Sequence, residues 1–127
     1  MQGNSWVKQP TPSGLVSGIA VSPEGIPWIF DTAGDVYFWG GAGFLPASTG
    51  LGCISSLAVG PTSAPFSGVF GDVWIVKDCG LTTASGNIYQ FQFGLSWVQI
   101  PGGAVRISVS PDLGVPWIVN GSGQIFE

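Results

Sequence analysis

The chain has 127 residues, which is enough for one domain and too few for two of ordinary size. Hydrophobic residues make up 45% of it and charged residues only 8%, with no histidine and a formal net charge of -4. This composition argues against an intrinsically disordered chain, a nucleic-acid-binding or membrane-inserted protein, and His-based catalysis.

The chain opens with polar residues at 1–4, which lack the basic start and apolar core of a signal peptide. This start predicts a cytoplasmic protein, with action outside the cell left open. The next element, SWVKQP at 5–10, has the same pattern as SWVQIP at 96–101. Each precedes the first strand of a repeat, so we interpret it as the outer, fourth strand of a sheet. Phe44-Leu45-Pro46 stands in that place in the middle copy.

A unit of three short strands follows each of these elements. The apolar runs PWIF, VWIV and PWIV form the second strand of each unit, and serine, proline and glycine mark the turns. The tryptophans of these runs, Trp28, Trp74 and Trp117, are 46 and 43 residues apart (28 to 74 and 74 to 117). Four short strands with such a period are typical of β-propeller blades.

The sequence therefore predicts an all-β fold and one domain, 1–127, of three four-stranded antiparallel blades. The repeats span about 5–40, 42–94 and 95–127, and the middle one carries insertions. Propeller blades are covered on both faces, which suits nearly continuous apolar strands. We expect the repeated tryptophans to be buried between blades.

The only cysteines are Cys53 and Cys79. Without a signal peptide, we expect them to be reduced and packed in an apolar interior rather than joined in a disulfide. No metal site is expected, because histidine and CxxC pairs are absent, and no cofactor motif is present. Most carboxylates lie in predicted turns, where they cap the backbone, so we expect no enzymatic activity.

Three elements carry a resemblance to a known family. They are W-V-Q-I-P-G at 97–102, I-S-V-S-x-D-x-G-x-P-W-I-V-N at 107–120, and G-x-I-F/Y, as at 123–126. In these elements the chain resembles the tectonin family of β-propeller lectins. The resemblance implies a propeller, typically of six blades, that binds sugars between its blades, including O-methylated glycans and bacterial surface saccharides. Three repeats are half of that number.

Three blades leave a wedge that cannot close, whereas two copies give six blades, within the usual range of about four to eight. We therefore predict a homodimer that closes one six-bladed ring. In this ring the SWVKQP strand of each copy completes the last blade of the other.

Sugars offer an apolar C–H face and a polar rim. We therefore expect aromatic rings and hydrogen-bonding side chains to contact them. The candidate residues are Trp6, Trp97, Tyr37, Asp31, Asn120 and Arg106. Asp31 and Asn120 share one slot after the second strand and could equally cap turns. The predicted function is a lectin for neutral or methylated glycans that acts without a metal. The alternative is a propeller that serves as a scaffold for protein interactions.

Overall fold

The computed structural model describes residues 3, 5–61, 72–80, 85–92 and 96–127, and these ranges form antiparallel sheets without a helix. The first sheet has the strand order β1-β2-β3-β4. Its strands are β1 (Val16–Val21), β2 (Pro27–Asp31), β3 (Val36–Trp39) and β4 (Phe44–Ser48). The prediction of an all-β fold is confirmed for the described residues.

Two further sheets repeat this meander. The second sheet consists of β5 (Ile54–Gly60), β6 (Asp72–Lys77), β7 (Gly86–Gln92) and β8 (Ser96–Ala104). The third sheet consists of β9 (Arg106–Val109), β10 (Pro116–Val119) and β11 (Ile125–Phe126). The insertions of the middle repeat, at 61–71 and 81–85, lie largely outside the described residues.

In both outer repeats a serine caps the turn between the first and second strands, although the turn of the third sheet is one residue longer. Ser22 Oγ accepts a hydrogen bond from the backbone N of Ile26 at 3.1 Å. Ser110 Oγ accepts one from the backbone N of Val115 at 2.9 Å. A serine hydroxyl that caps its own turn explains why serine occupies the same slot in both copies.

The middle sheet is covered on both faces. Alternate side chains of its strands point in opposite directions, and each face packs against a neighbouring sheet. One face joins Trp28, Phe30 and Val36 of the first sheet in a buried cluster; its own buried members are Leu57, Val59, Val73, Ile75 and Phe91. The opposite face joins Ile107 of the third sheet; its buried members are Ala58, Trp74, Val76, Ile88 and Ala104. Consistent with this order, β5 lies next to both β1 and β9.

The element that precedes each repeat was predicted to form the outer strand of the preceding sheet. This prediction is confirmed for two of the three copies. Phe44-Leu45-Pro46 lies in β4, which pairs with β3, and Ser96 begins β8, which pairs with β7. The equivalent N-terminal element at 6–10 forms no strand with the third sheet of its own chain, and that sheet has three strands. Its pairing with another copy stays a prediction.

The two cysteines form a disulfide bond, so the prediction of two reduced thiols is wrong. Cys53 directly precedes β5, and Cys79 closely follows β6, its antiparallel neighbour. Their Cα atoms are 4.8 Å apart, a usual distance for a disulfide. The backbone N of Asp78 donates to the O of Cys53 at 2.8 Å, which holds the two strand ends together.

The repeated tryptophans do not share one environment. Trp28 and Trp74 are buried in the two clusters, as predicted. Trp117 is exposed, so the expectation of burial fails for it in the single chain. Strand alternation points its ring away from the second sheet, because its neighbour Ile118 packs against the second cluster.

Candidate binding grooves

The six predicted ligand residues do not form one site. Trp6, in the segment before β1, is 87% exposed, and Arg106 lies on the face of the third sheet that points away from the second sheet. The Nη1 of Arg106 donates to its neighbour's carbonyl, the O of Val105, at 2.8 Å. The remaining predicted residues lie in three different sheets: Asp31 and Tyr37 in the first, Trp97 in the second, and Asn120 at the end of β10 in the third.

Asp31 and Asn120 cap equivalent hairpin turns, so the alternative reading of this slot is confirmed. Asp31 Oδ1 accepts hydrogen bonds from the N of Ala33 at 3.0 Å and of Asp35 at 2.9 Å. Asn120 Oδ1 accepts them from the N of Ser122 at 3.0 Å and of Gln124 at 2.9 Å. These oxygens are occupied by the turns.

Asn120 retains capacity to donate. Its Nδ2 donates one hydrogen bond to Gln124 Oε1 at 3.0 Å. An amide nitrogen carries two N–H groups, so one further donor is left for a ligand. Asp31, which is buried, offers no such donor when ionised.

Trp97 contributes to packing between the first and second sheets. Its ring stacks on Phe91 with centroids 4.8 Å apart, and its Nε1 donates to Ser48 Oγ on β4 at 3.0 Å. The single N–H of the indole is thereby satisfied. These contacts make Trp97 a half-buried packing residue, and its contact with a sugar stays a prediction.

Each sheet presents a polar residue and an aromatic ring at the same end and on the same face. The polar residue lies three positions after the repeated tryptophan, and the ring lies beside the intervening isoleucine on the next strand. The pairs are Asp31 with Tyr37, Lys77 with Tyr89, and Asn120 with Phe126. Period-two alternation places both members on the face that points toward the preceding sheet.

The first of these pairs is electrostatically coupled. Burial raises the pKa of the Tyr37 hydroxyl, and the carboxylates of Asp31 and Asp35 raise it further. The shift is upward from an ordinary pKa of about 10, so this hydroxyl is protonated at neutral pH, as in any tyrosine. Tyr37 can therefore both donate and accept a hydrogen bond beside its ring.

The third pair lines a groove between the second and third sheets. The groove has a volume of ≈ 440 Å³, and its walls are largely apolar, with Trp74, Ile88 and Pro101 on one side and Phe126 on the other. Asn120 lies in the same wall as Phe126. Apolar walls with few polar groups are typical of small-molecule sites in proteins.

The second pair lines a smaller and more polar groove of ≈ 270 Å³, which also includes Asp78 and Asn87. The Nζ of Lys77 lies 5.6 Å from the centroid of the Tyr89 ring, a cation–π contact that holds the ring in place. Asp78 caps its own turn by accepting from the N of Gly80 at 2.9 Å. The two grooves therefore differ in charge, and the smaller one is lined from the second repeat alone, whereas the larger one lies between two sheets.

Lys77, Tyr89 and Phe126 were not among the ligand residues predicted from the sequence. In the middle copy Lys77 is the residue three positions after Trp74, the slot that Asp31 and Asn120 occupy in the outer copies. Counting three residues on from each repeated tryptophan would have found Lys77. Tyr37 lies nine residues after Trp28, and Phe126 lies nine residues after Trp117, so this spacing identifies the aromatic residue of the third repeat.

A buried carboxyl group distinguishes the middle repeat. Asp72 is fully buried, and its Oδ1 accepts hydrogen bonds from Trp74 Nε1 at 2.8 Å and Gln90 Nε2 at 2.9 Å. Its Oδ2 has no partner among the described residues. Gly60 makes room for it, since a Cβ there would lie 2.8 Å from Oδ2 and 2.7 Å from Val109 Cγ1.

Burial raises the pKa of Asp72, although the hydrogen bonds from Gln90 and Trp74 oppose this. The folded protein therefore holds a proton that the unfolded chain loses near its ordinary pKa of about 3.9. Consequently the free energy of unfolding falls as the pH rises from that value through the folded pKa, and then levels off.

We expect Asp72→Asn to remove this decline, because an amide keeps the acceptor for both donors and cannot ionise. Urea unfolding at several pH values between about 4 and 8 measures the effect. Asp112→Asn, in an exposed turn, is the matched control and should keep the decline of the wild type. An unchanged slope in Asp72→Asn would contradict the assignment.

Among the described residues, no cluster of three or more His, Cys, Asp or Glu side chains is placed to hold a metal ion. A helix of the length and apolarity needed to cross a membrane is likewise not found in this part of the chain. A comparison with protein-family models found no match for this chain, and a comparison with curated proteins found none either. Function is therefore inferred from the grooves and from the repeated residues.

Proposed function

We propose that the chain is a carbohydrate-binding lectin that recognises neutral or O-methylated saccharides in the grooves between its sheets. The observation that carries this proposal is the groove of ≈ 440 Å³ between the second and third sheets. Its apolar walls suit the C–H face of a sugar, and the remaining N–H of Asn120 suits a hydroxyl or ether oxygen. The sequence contains no histidine, which favours binding over catalysis.

Methylated sugars fit this groove better than their parent sugars. Methylation of a hydroxyl removes a donor and adds apolar area, at about 0.8 kcal/mol for each buried carbon. The walls next to Asn120 are apolar, formed by Ile100, Ile118 and Phe126. A methyl group can be buried there without leaving a polar atom unpaired.

We further propose that each sheet is a propeller blade and that two copies close a six-bladed ring as a homodimer. The successive packing of the three sheets through β1, β5 and β9 supports this architecture. Several grooves on one ring would bind a glycan-coated surface with avidity, although each groove binds weakly. The Cys53–Cys79 bond supports action in an oxidising environment, such as the cell exterior.

The test is a glycan array that includes O-methylated sugars, followed by calorimetry with a chelator present. We expect binding that the chelator leaves unchanged, with more than one site per dimer. The informative variant is Asn120→Asp, because Asp31 caps the equivalent turn in the first sheet and shows that the fold accepts an aspartate there. This variant loses the amide donor and should weaken affinity about tenfold, the value of one hydrogen bond.

Leu113→Glu, in the exposed turn between β9 and β10, is the matched control and should bind as the wild type does. An array without any bound glycan, together with recovery of one specific protein partner, would favour the scaffold function instead. Equal affinity of Asn120→Asp and the wild type would remove Asn120 from the site.

A further inference from the structure

On the face of the first sheet that points away from the second, the edge strand β1 carries two exposed apolar side chains, Ile19 and Val21, which form the Ile19 face; Ile29, the partner of Ile19 in β2, is buried. Ile19 occupies the same slot of its repeat as Leu57 and Ile107. Leu57 is 8% exposed and Ile107 is 7% exposed, because each packs against the preceding sheet, whereas Ile19 is 65% exposed. The Ile19 face is thus one half of an interface that the chain forms twice elsewhere.

The third sheet carries the other half, the Trp117 face, formed by Trp117, Val119 and Ile125. In the equivalent slot Trp28 is 1% exposed and Trp74 is 7% exposed, because each packs against the following sheet. Trp117 is 46% exposed and Ile125 is 67% exposed. The Trp117 face therefore has the side chains of a sheet-to-sheet interface without the covering sheet among the described residues.

We propose that a second copy of this chain covers both faces, with the Trp117 face of each copy against the Ile19 face of the other. The two interfaces within the chain supply the template: Trp28 shares a buried cluster with Leu57, and Trp74 shares one with Ile107. A contact of Trp117 with Ile19 of the other copy would repeat this pairing between the third sheet of one copy and the first sheet of the other. The contact is head-to-tail, and two copies close it when both faces of each are used.

The N-terminal segment and β11 complete this interface. β11 is the outer strand of the third sheet, and its far edge has no pairing strand among the described residues. In the second sheet Tyr89 lies opposite Gln99. In the repeat alignment Phe126 corresponds to Tyr89, and Lys8 corresponds to Gln99 because SWVKQP at 5–10 matches SWVQIP at 96–101. We therefore expect Phe126 to lie opposite Lys8 of the second copy.

The position of this segment supports the exchange. Lys8, Gln9 and Thr11 line a groove of ≈ 640 Å³ together with Ile19 and Ile29, so the segment already lies on the side of the first sheet where a preceding sheet belongs. Trp6, equivalent to Trp97, would then pack between the third and second sheets of the other copy, as Trp97 does between the second and first, and would add a wall to the groove that Asn120 and Phe126 line. This step gives the 87% exposed Trp6 a structural place.

This inference rests on the proposed ring but not on saccharide binding, and it is tested without a glycan. Sedimentation velocity of the wild type should give about twice 13.1 kDa. Ile19→Lys and Trp117→Glu should each sediment as monomers. In a homodimer of either variant, both contacts would bury the introduced charge against an apolar face. Both positions are exposed in the single chain, so the variants should fold, which circular dichroism checks.

The decisive measurement is the equimolar mixture of the two variants. A head-to-tail dimer of Ile19→Lys with Trp117→Glu has one fully wild-type interface and one in which lysine meets glutamate, so mixing should restore the dimer. Leu113→Glu, outside both faces, should remain a dimer throughout. A wild-type monomer at high micromolar concentration, or a mixture that stays monomeric, would overturn the proposal, whereas a failed glycan array would leave it standing.

Discussion

Replacing Cys53 and Cys79 together by alanine should lower the free energy of unfolding by roughly 3 to 4 kcal/mol. The bond closes a loop with a sequence separation of 26, and removing it restores that loop's conformational freedom to the unfolded chain. The closed loop includes the long connection between Gly60, the end of β5, and Asp72, the start of β6. Without the disulfide, this connection alone joins the two strands along the chain. The melting temperature should fall on the order of 10 °C.

Urea unfolding of the double variant beside the wild type, with and without a reductant, measures this effect. Reduced wild type should behave like the double variant, because both lack the bond. Ala33→Ser, in an exposed turn, serves as the control for a mutation of similar size. A loss below about 1 kcal/mol would mean that the strand pairing alone holds the two ends together.

The disulfide could have been predicted from the sequence through strand register. Leu57 pairs with Ile75, and Cys53 lies four residues before the first while Cys79 lies four residues after the second. In a regular ladder two cysteines at equal distances from such a pair face each other, and the register shift between Ile54 and Ser56 displaces these two by one position, which still leaves their Cα atoms 4.8 Å apart. The prediction of reduced thiols rested on compartment and cysteine number, and neither contains this geometric information.

Strands were predictable because each repeat has its own turns and apolar runs, which are local features. The predicted second strand at 116–120 is β10, and the predicted outer strands at 44–46 and 96–101 lie in β4 and β8. Burial was less predictable, because it depends on what covers a sheet. Trp28 and Trp117 have the same local sequence and strand position, yet only the first has a following sheet in the chain.

Ligand residues were the least predictable part, because polar residues after a strand serve turns as well as ligands. Asp31 and Asn120 both cap the turn, and only the spare N–H of the Asn120 amide distinguishes them. Trp97 looked like a free aromatic in the sequence. Its partners, Phe91 and Ser48, are separated from it by chain connections that the repeat pattern does not reveal.

Alanine substitution of the three repeated tryptophans should separate the covered slots from the uncovered one. Trp28→Ala should cost about 3 to 5 kcal/mol, because it leaves a cavity between the first and second sheets. Trp74→Ala should cost at least as much, since it also removes the donor to Asp72 Oδ1. In the dissociated chain Trp117→Ala should cost only about 0.5 kcal/mol, as for other exposed positions.

Thermal unfolding at two protein concentrations tests this order. At low concentration, where copies are dissociated, Trp117→Ala should match the wild type while Trp28→Ala is strongly destabilised. At high concentration assembly stabilises the wild type by mass action, and Trp117→Ala should lose that increment because its ring lies at the proposed contact with Ile19 of the other copy. A wild-type melting temperature independent of concentration, or a Trp117→Ala loss as large at low concentration as that of Trp28→Ala, would contradict the assignment of Trp117 to a contact between copies.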